Sequence, residues 1–330
     1  HPPGWFEWPS RPAGLYRITQ GVHVATGIAS IPLLLAKLWV VYPHLWTWPP
    51  LRTVAHAVER ISLFPLIAGA LFLLVSGLNN TANWYPWAFF FPRAHYWAAW
   101  ITIGALIVHV AAKLPVTIAA VRRSREVEPG SDGLSRRGFL GTVAAAVGAV
   151  TLATVGQTLG PLRRISLLAP RDPGVGPQGF PVNKSAASAR VLETAVDPAY
   201  RLRIEGEVRR VLALTLDDLQ QMPQHEATLP ISCVEGWSAE ADWRGVRVRD
   251  VLAMAGAPDG ARVTVESLQP RGLYRASELN PSHAVDRDTL LAIAVNGEEL
   301  HIDHGYPVRL IGPNRPGVMQ TKWVSKLTVH

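Results

Sequence analysis

Cys233 is the only cysteine in a chain of 330 residues, and it lies in LPISCVEGWSAEADW, residues 229–243. A lone cysteine has no partner for an internal disulfide. Two roles remain open: a small buried hydrophobe, or a soft thiolate ligand for a transition metal. A second set of ligand types is His23, His56, His95 and His109, each in strongly apolar sequence. A polar ring in a bilayer is costly unless it has a task. His95 and His109 are 14 residues apart, about four helical turns and about 21 Å of axial rise, so they share one helix side. That spacing suits two stacked haems. The depth of each histidine in its span pairs His23 with His95 and His56 with His109, two imidazoles per iron, a ligation suited to electron transfer. Gly21, Gly27, Gly104 and Ala111 would let a flat macrocycle approach. Taken singly, each imidazole has an alternative as interhelical glue.

These histidines need membrane helices to hold them. Four apolar segments reach the roughly 20 residues that a bilayer crossing takes: 16–42, 54–78, 94–121 and 138–162. The stretch NNTANWYPWAFFFPR reads as an interfacial aromatic loop. Net charge is +7, concentrated near the apolar half at Arg122, Arg123, Arg125, Arg136, Arg137, Arg163 and Arg164. Such clustering points to a membrane surface, and no nucleic-acid motif accompanies it. The linker 122–137 carries five arginines and is expected on the cytoplasmic side. SRRGFLGT, 135–142, has the form of a twin-arginine export signature inside the chain; a plain basic stop before an apolar span is the alternative. Both place the carboxy-terminal half outside the cytoplasm. Lys37, Arg52, Arg60 and Lys113 then fall at inner ends, and Glu59 beside Arg60 is a proton or quinone group or half of an ion pair. The amino terminus falls outside, and a start at His1 without Met suggests an upstream segment.

Residues 170–330 read as a soluble domain. A Pro/Gly-rich linker, 169–183, precedes strand-like runs at 201–208, 261–268, 290–297, 306–312 and 322–329, with helical pieces at 215–222 and 247–256. Mixed order without regular alternation predicts α+β. The expected organisation is a four-span all-α transmembrane bundle followed by an α+β domain, with boundaries at 1–121, 122–168 and 169–330.

CVEGWS, the following W-R-G-V-x-V-x-D-V-L, and VNGEELHIDHGYPVRLIGPNRPGVMQTKWVSKLTV at 295–329 together resemble the sulfite oxidase family of molybdenum enzymes. The resemblance covers about 180–330 and implies a sulfite oxidase-like, molybdopterin-binding fold with Cys233 bound to molybdenum. It implies that His304, Arg309, Gln320, Thr321 and Lys322 hold the pterin and its phosphate, with Asn183, Lys184 and Ser267 as further contacts. Arg309 brings a bidentate fork and Lys322 a point charge to such an anion. Tyr274 in GLYRAS matches a tyrosine near the substrate and would donate a proton to a departing oxo group; a surface strand tyrosine is the alternative. CVEGWS without a following immunoglobulin-like domain is similar to the bacterial periplasmic methionine sulfoxide reductase subunit, whereas His304 is closer to sulfite oxidases. Residues 16–121 resemble the diheme cytochrome b subunits of respiratory oxidoreductases, although those often have a further helix before the two-histidine helix.

The resemblances imply a molybdopterin-dependent oxidoreductase with molybdenum-molybdopterin and two b haems, in the bacterial cytoplasmic membrane. It would exchange electrons between an extracytoplasmic S- or N-oxide and quinone or quinol, alongside lipid and other redox subunits. Sulfite oxidation is the alternative reaction, with Arg271 and Arg275 as candidate anion contacts. A non-catalytic electron-transfer or docking subunit is the alternative of another class.

Overall fold

The computed structural model describes residues 6–46, 53–122 and 135–330. Arg52, Arg123, Arg125 and most of the basic linker lie outside the described residues. The chain divides into two compact units, 23–170 and the pair of segments 1–22 and 171–330.

Four helices carry the apolar segments: α1 Leu15–Leu45, α2 Val54–Thr81, α3 Phe91–Arg122 and α4 Arg136–Thr154. All four are long and apolar enough to cross a membrane. Many large apolar side chains on them stay exposed, Trp39, Phe64 and Ile107 among them, the pattern of helices that meet lipid. Gly69 lets α2 approach α3 closely, since a Cβ there would meet Thr102 Oγ1 at 2.2 Å. Val24 and Ile28 of α1 bury against Val155, beyond the end of α4. That fourth helix is shorter than the expected 138–162. It ends at Thr154 and gives way to single 3-10 turns at Val155–Gln157 and Gly160–Leu162. The chain folds back there: Ser166 Oγ donates to Leu152 O at 2.5 Å and Leu168 N to Ala153 O at 2.8 Å.

The other unit holds two sheets, with short helices α5 Ala186–Ala189, α6 Leu192–Ala195, α7 Leu216–Gln221, α8 Val248–Ala255 and α9 Pro281–Ala284. Strands β1 Leu202–Gly206, β2 Leu212–Leu214, β5 Val263–Ser267, β6 Ala276–Leu279 and β10 Val324–Val329 form one sheet in the order β2-β1-β10-β5-β6. Only the β1–β10 pair in it is parallel. The second sheet runs β3 His225–Ser232, β4 Ser238–Arg247, β7 Leu290–Val295 and β8 Glu298–Glu299, with β9 Arg309–Ile311 also on β7. A full capping box on Thr215 and Asp218 starts α7.

Strand β7, LLAIAV, is buried at every position. Its residues alternate faces, as strand geometry requires. Leu291 and Ile293 join the core shared by α8 and the first sheet. Leu290 and Ala292 join a second core with Phe180, Trp237, Trp243 and Cys233, and Val295 joins it too, past the register shift with β4 that breaks the alternation at Ile293. The lone cysteine therefore sits on the edge of a packed layer, at a fixed position.

Candidate active site

Cys233 opens the five-residue connection between β3 and β4. The turn closes on itself: Cys233 N donates to Trp237 O at 2.9 Å and Gly236 N to Cys233 O at 3.0 Å. Gly236 has φ +92°, a conformation that an L side chain resists. Cys233 is 5% exposed. Two donors aim at its sulfur, Asn183 Nδ2 at 2.8 Å and Glu235 N at 3.5 Å. Burial, and then the Glu235 carboxylate, push the thiol up to about 12. A cation bound at the sulfur reverses that preference, because metal coordination deprotonates a thiol outright.

A second group of side chains is buried with too little negative charge. Arg309 is 2% exposed, donates from Nη1 to His304 O at 2.9 Å, and leaves Nε without a partner. Burial pulls its guanidinium down to about 9. Lys322 Nζ donates to Asp303 O at 2.6 Å and Lys184 O at 2.9 Å; burial, and then Arg309, push it well below the usual lysine range. His304 is 1% exposed and stacks on Phe180 with ring centroids 3.9 Å apart. Its Nε2 donates to Pro177 O at 2.7 Å and its Nδ1 is buried without a partner. Burial, and then Arg309, push that imidazole down to about 3, so it is neutral. Gly305, at φ +116°, lies where a Cβ would press on Arg309 and Lys322 at 3.2 Å. A buried guanidinium and a half-buried ammonium, beside an unpartnered imidazole nitrogen, call for an anionic ligand rich in hydrogen-bonding groups.

Residues 189–330 match the family described as "Oxidoreductase molybdopterin binding domain". Sulfite oxidase of mouse mitochondria is 33% identical over 163 residues, covering 41% of this chain and 30% of its own. A putative protein-methionine-sulfoxide reductase subunit, YedZ1 of Azospira oryzae, is 32% identical over 151 residues, covering 46% of this chain and 56% of its own. Over these residues the carboxy-terminal domain is similar to the sulfite oxidases. The sulfane dehydrogenase SoxCD structure from Paracoccus pantotrophus aligns at 28% identity and a TM-score of 0.37, covering 41% of this chain and 40% of that one. The chain thus spans about a third of the length of the sulfite oxidases it matches.

The molybdopterin domain brings most of the expected site residues together. Asn183 touches the Cys233 sulfur. Lys184 pairs through Nζ with Gln269 Oε1, and its peptide oxygen meets Lys322. Gln320 leaves its buried Oε1 unpartnered. Two expected contacts are engaged inside the domain: Ser267 Oγ donates to Lys322 O at 2.8 Å, and Thr321 Oγ1 bonds Ser277 Oγ at 2.7 Å. These hydroxyls hold the Lys322 loop in shape. Tyr274 is half-buried, and burial raises its phenol. Arg271 and Arg275 are exposed.

Three site residues escaped the sequence reading. Glu235 is buried, accepts from Trp237 Nε1 at 3.2 Å, and is raised by burial against the opposing pull of Arg171. Arg171 donates to Asn183 Oδ1 at 3.1 Å, extending the cysteine cluster outward. Arg315 is 6% exposed with Nε unpartnered; burial pulls it down to about 10. The motif GPNRPG shows an arginine there, but a turn arginine reads as solvated until its burial is known.

In the helical unit, the His23 and His95 rings lie with centroids 6.1 Å apart and planes at 84°. Ser76 Oγ bonds His95 Nδ1 at 3.0 Å. His56 Nε2 instead accepts from Arg60 Nε at 3.4 Å, and His109 Nδ1 is buried without a partner. Glu59 pairs with Lys113 at 2.6 Å, and the adjacent Arg60 guanidinium reaches His44 O at 3.0 Å and also Leu45 O.

Proposed function

We propose that this chain is a membrane-anchored molybdenum-dependent oxidoreductase, passing electrons between an extracytoplasmic S- or N-oxide and quinone through b-type haems. One observation carries the reading: a buried thiol held by Asn183 lies in the same domain as the buried guanidinium groups of Arg309 and Arg315 and the half-buried ammonium of Lys322. Cys233 would hold the metal. Arg309, Lys322, His304 Nδ1 and Gln320 would hold the pterin and its phosphate. When bound, the group supplies oxygen-atom exchange in two-electron steps.

The protein's own part is placement and proton supply. Asn183 and the Glu235 amide keep the sulfur in one orientation. Tyr274 is protonated at neutral pH and can give its phenolic proton to an oxygen leaving the substrate. Glu235, its carboxyl raised by burial, lies beside the sulfur and near the reacting centre.

For the haems, the support is the His23–His95 pair. His23 and His95, with ring centroids 6.1 Å apart, would together hold one haem iron, which would supply one-electron transfer. Ser76 would fix the His95 tautomer. His56 and His109 would serve a second haem at the inner ends of their spans. The quinone site, the partner subunits and the placement of the basic linker in the cytoplasm belong to the same proposal.

Reoxidation of dithionite-reduced full-length protein tests the reaction. Rapid haem reoxidation by sulfoxides or N-oxides supports it. Reduction of oxidised haem by sulfite, without response to the oxides, assigns the chain to sulfite oxidation instead.

A further inference from the structure

The amino-terminal segment packs against the molybdopterin domain, and its anchoring is extensive. Asn314 gathers three of its backbone groups: its Oδ1 accepts from Tyr16 N at 2.6 Å, its Nδ2 donates to Pro9 O at 2.6 Å, and its N donates to Ala13 O at 3.0 Å. Asn280 Nδ2 donates to Trp8 O at 3.0 Å, and Arg11 pairs with Asp286 at 2.8 Å and with Asp288. Arg17 reaches Glu240 at 3.6 Å. So held, the first turns of α1 present Gln20 to the cysteine turn, where its Nε2 donates to Val234 O at 3.0 Å.

That carbonyl is one end of a peptide group whose other end is the Glu235 N–H. The Glu235 N–H is the donor to the Cys233 sulfur. One planar, conjugated unit thus accepts from Gln20 on one side and donates to the thiol on the other. Hydrogen bonds in series polarise one another. Hydrogen bonds to a ligating sulfur withdraw electron density from it and raise the potential of its metal.

We propose that Gln20 is a positioning residue for the molybdenum ligand: through the Val234–Glu235 peptide it strengthens the N–H···S bond to Cys233 and raises the reduction potential of the bound metal. The inference rests on the molybdenum reading above. Gln20 lies outside residues 189–330, so the potential of the domain is set in part by a segment outside the family match.

The test is a redox titration of full-length protein, followed by the Mo(V) electron paramagnetic resonance signal, for wild type, Gln20→Met and Gln20→Lys. Methionine keeps the length and removes the donor. At equal molybdenum content it should move the potential negative by about twofold in the one-electron equilibrium, about 18 mV at 59 mV per tenfold, with altered g-values. Lysine offers a charged donor and should move it positive. If Gln20→Met does not accumulate, the lysine variant reads the same bond. Molybdenum present with unmoved potentials and superimposable signals overturns the role of Gln20 alone. A wild-type chain without molybdenum overturns the reading on which it rests.

Discussion

Asn183 Nδ2 lies 2.8 Å from the Cys233 sulfur, and its own Oδ1 accepts from Arg171 at 3.1 Å. The amide is thereby fixed in orientation, with its donor end on sulfur. Fifty residues separate the pair in sequence.

Asn183→Ala removes the stronger donor and frees the Cys233 turn to shift. Outer partners of metal ligands are worth about 10–100-fold in activity or affinity, so kcat should fall about tenfold while molybdenum content stays near that of wild type. Asn183→Asp should be worse, because a carboxylate then faces a thiolate. Metal analysis beside steady-state kinetics checks both.

Arg309 is a buried cation awaiting an anion. Arg309→Met should abolish most cofactor loading. In cofactor-free protein the same change should be neutral or stabilising by about 1–3 kcal/mol, because the desolvation penalty disappears. Thermal unfolding of cofactor-free wild type and variant, beside molybdenum content of the loaded proteins, gives both halves.

His304 is neutral in the fold, pushed down to about 3, while an unfolded imidazole titrates near 6.5. Below 6.5 the unfolded chain takes up a proton that the native chain refuses. Its contribution to stability is therefore complete above pH 6.5 and is lost progressively from there towards pH 3. His304→Gln should flatten that acid limb relative to wild type in denaturant titrations of cofactor-free protein between pH 7 and 4.

If His23 and His95 share one haem, His23→Ala and His95→Ala should lose the same spectral component. Ser76→Ala should keep the haem and shift its midpoint potential, since only the hydrogen bond to His95 Nδ1 is removed. Reduced-minus-oxidised spectra and a potentiometric titration check this. Loss of different haems by the two histidine variants contradicts the pairing.

What could be seen in sequence follows physical periodicity. The four spans are long apolar runs and became α1 to α4. Thr215 with Asp218 carries its own cap, and β7 is a continuous apolar run because both its faces are covered. The cysteine turn and the Arg309–Lys322 segment were legible as motifs. The amino-terminal contacts were not: Tyr16 meets Asn314 across 298 positions and Gln20 meets Val234 across 214, and no local pattern encodes such pairs. Residues 16–22 read as the start of a membrane span, and that reading hid their second role. Glu235 and Arg315 were hidden because charged types are assigned to solvent until burial is known. The end of α4 was misplaced because composition stays apolar past Thr154 while Ser166 and Leu168 take over the helix carbonyls.

The most direct test of the central claim is the metal content of purified full-length protein, measured by mass spectrometry with the haem quantified optically. The account predicts about one molybdenum per chain, lost in Cys233→Ser, and two haem irons. Absence of molybdenum from the wild-type chain, when it is produced in cells that make the cofactor, would contradict it.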